Sequence, residues 1–103
     1  MNRLNKVLIP VLFLSSLYSF QPQSKEELQT AVDLWVSDNE TALSNYGEIS
    51  NWDVSLITNM SELFLNKSTF NSDISNWDVS NVTNLYRTFE GATLFNSDIS
   101  VWN

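Results

Sequence analysis

Two aspartates 25 residues apart, Asp53 and Asp78, stand in identical surroundings, Ser-Asn-Trp-Asp-Val-Ser, and a second acidic series runs through Glu48, Asp73 and Asp98. If the identical segments stack, each series becomes a column with neighbouring carboxylates about 5 Å apart, the spacing of adjacent strands. Three chemistries suit such columns. Calcium prefers carboxylate and carbonyl oxygens and would offset the repulsion between like charges. A carboxylate pair could also work as acid and base in glycoside or peptide hydrolysis. The plainest role is local, because Asp, Asn and Ser side chains accept backbone N–H groups in tight turns. The glycine-punctuated loops of calcium repeats are absent, and the acids recur only because the whole segment recurs. The turn role is therefore preferred, and no metal site, cofactor or catalytic residue is assigned.

The rest of the composition removes further chemistry. There is no cysteine and no histidine, hence no thiolate nucleophile, no disulfide, no zinc site of the usual kind and no imidazole base. Twelve acidic residues against five basic ones give a formal charge of −7, which opposes a nucleic-acid partner, whose phosphates call for a basic face. Four tryptophans could form a platform for stacking sugars. Their register with isoleucine and valine fits buried ladders better.

These residues must be positioned by a repeat. Ile49-Ser50-Asn51-Trp52-Asp53-Val54-Ser55 returns as Ile74-Ser75-Asn76-Trp77-Asp78-Val79-Ser80, and a third copy runs from Ile99-Ser100 to Trp102. A fixed period of this size is the mark of stacked units, each unable to bury its apolar face alone. The matched apolar positions are Ile49/Ile74/Ile99, Trp52/Trp77/Trp102, Val54/Val79, Ile57/Val82, Met60/Leu85, Phe64/Phe89 and Phe70/Phe95. They are expected to point inward. Ile-x-x-Trp-x-Val has the spacing of a leucine-rich-repeat strand, which predicts a strand at about residues 76–80. Leu85 and Phe89, four apart, predict a short returning helix over 84–91, with a counterpart over 59–66. The expected fold class is α/β: a short leucine-rich-repeat-like solenoid with 25-residue units, short parallel strands plus short helices, and an N-terminal helical cap.

Three regions are expected. Residues 1–20 have the layout of a secretory signal peptide, with Arg3 and Lys6 before the apolar run Val7–Leu14, a run too short for a stable membrane span. Residues 21–46 form the cap. Ser24 and Glu27 are spaced as a capping box, and Leu28, Ala31, Val32 and Trp35 make one apolar stripe, predicting a helix over about 25–36. A second helical piece follows Asp38 and ends near Gly47. Residues 47–103 hold two full repeats and a partial third, in a chain of 103 residues that buries only about 60–65% of its unfolded surface.

The run Phe70-Asn71-Ser72-Asp73-Ile74-Ser75-Asn76-Trp77-Asp78-Val79-Ser80-Asn81-Val82-Thr83-Asn84-Leu85 and the Phe89-x-x-Ala92 step resemble the BspA-like leucine-rich-repeat surface proteins, also described as the mycoplasma lipoprotein-associated repeat, DUF285. Ala31-Val32-Asp33-Leu34-Trp35 and Tyr46-Gly47-Glu48 extend the resemblance over about residues 28–103. It implies a secreted or cell-surface protein used in adhesion and protein recognition, without enzymatic activity. Leu56, where the second copy has Asn81, departs from the pattern.

The expected function is therefore non-catalytic recognition of a protein or other cell-surface macromolecule, with Asn51, Asp53, Asn76 and Asp78 as the binding row. A structural spacer, or a fragment of a longer array without its own ligand, is the alternative. Self-association through the open C-terminal end is a further expectation. Asn59 and Asn84 are expected to bond the backbone, as are Asn51 and Asn76. Sequons at Asn39, Asn59, Asn66 and Asn81 matter only in a glycosylating secretory pathway.

Overall fold

The computed structural model describes residues 19–102, so the expected signal peptide lies outside the described residues except for Ser19 and Phe20. Helix α1, Lys25–Ser37, begins at Ser24, whose Oγ accepts the N–H of Glu27 at 3.1 Å. Glu27 reaches back to accept the Gln23 N–H at 2.6 Å, one residue before the usual capping-box donor. The α1 stripe, Leu28, Ala31, Val32 and Trp35, is buried. Asp38 joins two helices. Its N–H closes α1 on the Leu34 carbonyl at 2.8 Å, and its carboxylate opens α2, Asn39–Tyr46, by accepting from the Thr41 N–H and hydroxyl. Gly47 ends α2 at φ +77°, a conformation that glycine adopts without strain.

The α/β expectation is corrected beyond this point. Among the described residues the only β pairing is an isolated parallel bridge between Asn59 and Asn84, and the only further helix is a 3₁₀ turn, Ile49–Asn51. The chain is a small globule of two helices and stacked turns, not a leucine-rich-repeat solenoid of parallel strands and helices. Two local causes explain this. Where a strand was expected, Asp78 Oδ1 takes the Ser80 N–H at 3.0 Å and the Trp77 N–H bonds back to the Ile74 carbonyl at 3.2 Å. Those donors are spent within the turn and cannot build a ladder. Where short helices were expected, Glu62 and Arg87 sit at φ +59° and +53°, and a left-handed residue cannot continue a right-handed helix. The N–H groups of Leu63, Leu65, Thr88 and Glu90 instead bond three residues back.

The turns stack with the sequence period. Trp52, Trp77 and Trp102 form a column with ring centroids 6.4 Å apart at each step, and Phe64/Phe89 and Phe70/Phe95 stack at 5.4 and 5.7 Å. Offset aromatic stacking at this distance adds to the area buried. Each indole N–H is satisfied along the column: Trp77 Nε1 donates to the Ile49 carbonyl and Trp102 Nε1 to the Ile74 carbonyl. Alternate N–H groups of the first copy, Met60, Glu62, Phe64 and Asn66, donate to the carbonyls of Asn84, Tyr86, Thr88 and Glu90 at 2.7–2.9 Å.

Helix α1 packs against the opposite side of the first copy. Gln29 donates from Nε2 to the Leu63 carbonyl, Trp35 from Nε1 to Ser72 Oγ, and Lys67 pairs with Asp33 at 2.9 Å. The core thus runs from Leu28 through Ile49, Trp52, Val54, Ile57, Met60 and Phe64 to Ile74 and Trp77. Inward placement fails at one expected position. Leu85 is 51% exposed whereas its counterpart Met60 is fully buried, because the second copy covers the first and no described residue covers the second in the same way.

Candidate functional site

The two aspartates of the expected binding row are held by a local device that the described residues use four times. In each Asp-x-Ser step the aspartate accepts, through Oδ1, the N–H of the serine two residues on: Asp53 from Ser55, Asp73 from Ser75, Asp78 from Ser80 and Asp98 from Ser100, at 2.9–3.0 Å. In the first three the serine hydroxyl donates to the same oxygen at 2.6–2.7 Å. A carboxylate bonded in this way is favoured in its charged form. The serine hydroxyls and N–H groups accordingly hold Asp53 and Asp78 below the ordinary carboxylate range, and the N–H and hydroxyl of Ser75 do the same for Asp73. Stacking opposes this weakly, since Asp53 raises Asp78 and Asp98 raises Asp73. The hydrogen bonds win. No second carboxylate or cation is required to hold these groups in place.

The four row residues are not equivalent. Asn51 and Asn76 are exposed, and among the described residues neither side chain bonds the backbone, which corrects the expectation that they are turn ligands. Asn59 and Asn84 do behave that way, accepting through Oδ1 the N–H groups of Ser61 and Tyr86 at 2.8 and 2.9 Å. Asp53 is half-buried, and its second oxygen, Oδ2, accepts from Gln21 Nε2 at 2.9 Å. Asp78 is exposed and spends only Oδ1 within its turn. Trp52, Val54, Trp77 and Val79 are buried between these positions, whereas Asn51, Asn76 and Asp78 are exposed. Asn51, Asn76 and Asp78 are the members with side-chain atoms open to a partner.

Sequence reasoning missed the segment that ties down Asp53. The Phe20 carbonyl accepts the Asp53 N–H at 2.8 Å, and the Phe20 ring packs at 4.5 Å on Tyr46 and 5.3 Å on Trp52. Phe20 closes the apolar run of the expected leader, and nothing in its neighbourhood separates a leader residue from a packing one. The tryptophans offer no sugar platform of three indoles: Trp35, Trp52 and Trp77 are buried and only Trp102 is half-exposed. Among the described residues there is no cluster of three or more acidic side chains that could hold a metal ion, and no helix is long and apolar enough to cross a membrane.

No curated protein and no solved structure matches the chain. Residues 25–103 match the model of the family described as "Mycoplasma protein of unknown function, DUF285". The match spans α1, α2 and all of the stacked turns, and the chain belongs to the DUF285 family.

Proposed function

We propose that this chain is a non-catalytic recognition module, secreted or displayed at the cell surface, that binds a protein or another surface macromolecule through the row containing Asn51, Asn76 and Asp78. The observation that carries this is the repeated Asn-x-Asp pair. Its buried Trp and Val neighbours anchor the backbone, its Asp-x-Ser bonds fix the carboxylate, and its amides and free carboxylate oxygen face solvent. A pre-ordered polar array loses little side-chain entropy on binding. The apolar run Val7–Leu14 and the BspA-like resemblance support export and adhesion.

The test is a binding assay of the chain against immobilised extracellular-matrix and cell-surface proteins, with Asn76→Ala/Asp78→Ala as the probe. Expected is saturable binding to at least one surface, weakened about tenfold or more in the double variant, as loss of central contacts does. Absence of binding to every surface at low and moderate salt would favour the spacer alternative. Equal binding by wild type and variant would move the site off this row.

A further inference from the structure

The first residues of the folded body show where an export leader has to end. Phe20 is held through both ring and backbone: the ring packs at 4.5 Å on Tyr46 and 5.3 Å on Trp52, and the carbonyl accepts the Asp53 N–H at 2.8 Å. Gln21 follows with a bond from Nε2 to Asp53 Oδ2 at 2.9 Å, and Pro22 is fully buried. The Gln23 N–H is taken by Glu27, and Ser24 caps α1 by accepting the Glu27 N–H. Every residue from Phe20 to Ser24 thus holds the strap to the body. Ser19 stands outside this set, since it is exposed and among the described residues makes no hydrogen bond.

A leader peptidase needs a small residue immediately before the bond it cuts, because the pocket for that side chain is shallow. Between the apolar run Val7–Leu14 and α1 the small residues are all serines: Ser15, Ser16, Ser19 and Ser24. The structure removes Ser24. A cut there would take away the α1 cap, the buried Pro22 and the Phe20 ring together, leaving the product without part of its own packing. Ser15 and Ser16 adjoin the apolar run, so a cut after either would require Phe13 or Leu14, members of the run that the bilayer holds, to enter the peptidase groove. A cut after Ser19 places Leu17, Tyr18 and Ser19 in that groove, beyond the run. Sequence and structure therefore meet at one bond.

We propose that the bond between Ser19 and Phe20 is the processing site of this chain, hydrolysed by a membrane-bound leader peptidase, and that Phe20 is the first residue of the mature protein. This rests on the export reading above, and it ends the leader one residue before the position expected from sequence. Water adds across the amide: the C–N bond breaks, the hydroxyl goes to the Ser19 carbonyl carbon and the proton to the Phe20 nitrogen, and the products ionise to a carboxylate on the leader and an α-ammonium on Phe20. The Phe20 ring and carbonyl, which make its contacts with Tyr46, Trp52 and Asp53, take no part in the reaction. Release at this bond keeps all of that packing, whereas release one residue later removes it.

The test expresses the full chain in a secreting bacterial host and determines the N-terminus of the exported form by intact mass and terminal sequencing. Expected is a chain that begins at Phe20. Ser19→Tyr, a bulky replacement at an exposed position, should abolish that product, and Ser16→Tyr should leave it intact. Both changes lie outside the strap from Phe20 to Ser24, so neither removes a contact of the folded body. An exported chain that begins at Leu17, Gln21 or Lys25 overturns the proposal and leaves the export reading standing, as does a full-length chain held at the membrane or unchanged cleavage of Ser19→Tyr. A full-length chain confined to the cytoplasm overturns both.

Discussion

Trp77→Ala and Trp102→Ala remove the same side chain from two steps of one column, and the structure makes their costs unequal. Trp77 is 3% exposed, lies between Trp52 and Trp102 at 6.4 Å on each side, and donates to the Ile49 carbonyl at 2.9 Å. Burying an indole removes about 200 Å² from water, worth roughly 5 kcal/mol at about 25 cal/mol per Å². Deletions of large aromatics from cores cost about 3–5 kcal/mol. The Ile49 carbonyl keeps the Trp52 N–H as a donor, so the lost indole bond adds only about 1 kcal/mol. Trp102 is half-exposed with one ring neighbour in the column, which predicts about half the cost of Trp77→Ala, roughly 2 kcal/mol. A domain of this size has about 5–10 kcal/mol of stability, so Trp77→Ala, at about 4–6 kcal/mol, should remove half of it or more and Trp102→Ala well under half. Equilibrium urea unfolding followed by far-ultraviolet circular dichroism measures both. Trp77→Phe keeps ring packing and isolates the hydrogen bond. A Trp102→Ala cost equal to or above that of Trp77→Ala would refute the account of a covered inner copy and an open outer one.

Gly91→Ala should destabilise more than Gly47→Ala. Both glycines have positive φ, but a Cβ at Gly91 would lie 2.2 Å from Asn66 Oδ1 and 3.0 Å from its Cα, whereas Gly47 faces open space; chemical denaturation should give about 1 kcal/mol for Gly47→Ala and 2–3 kcal/mol for Gly91→Ala. Lowering pH should weaken the fold below about pH 4, because Asp53, Asp73, Asp78 and Asp98 have folded pKa values lowered from 3.8. Their contribution is present above the unfolded value and is lost as pH falls through the folded one; melting temperatures from pH 6 to 2 test this, and Asp78→Asn should shrink the acid-dependent part of the loss. Removing residues 1–20 should lower the unfolding free energy relative to removing 1–18, by about 1–3 kcal/mol in urea titrations, since only the longer deletion takes away the Phe20 ring and the carbonyl that accepts the Asp53 N–H.

The shared turn at Asp53 and Asp78 was legible because identical neighbourhoods offer the same serine hydroxyl and N–H two residues on. Buried Trp and Val on either side of Asp53 and Asp78 follow from their apolar character at repeated positions, and the Asp-x-Ser bonds follow from side-chain length. The individuality of the four residues was hidden. Asp53 differs from Asp78 only through Gln21, 32 residues away in the chain, and no local pattern shows that pairing.

The sequence alone determined the period, the ladders that share it, a capped helix over about residues 25–36 and the absence of cysteine and histidine, because these depend on residue type and spacing. Tertiary structure decided the form of the backbone inside each unit. The spacing of Ile, Trp and Val suits a strand and that of Leu85 and Phe89 suits a helix, yet turns form at both. Local Asp-x-Ser bonds and left-handed residues at Glu62 and Arg87 direct N–H groups within the turn or across to the next copy. Where a backbone donor finds its acceptor 24 residues along the chain, as Met60 does at Asn84, spacing within the segment cannot reveal the conformation it will take.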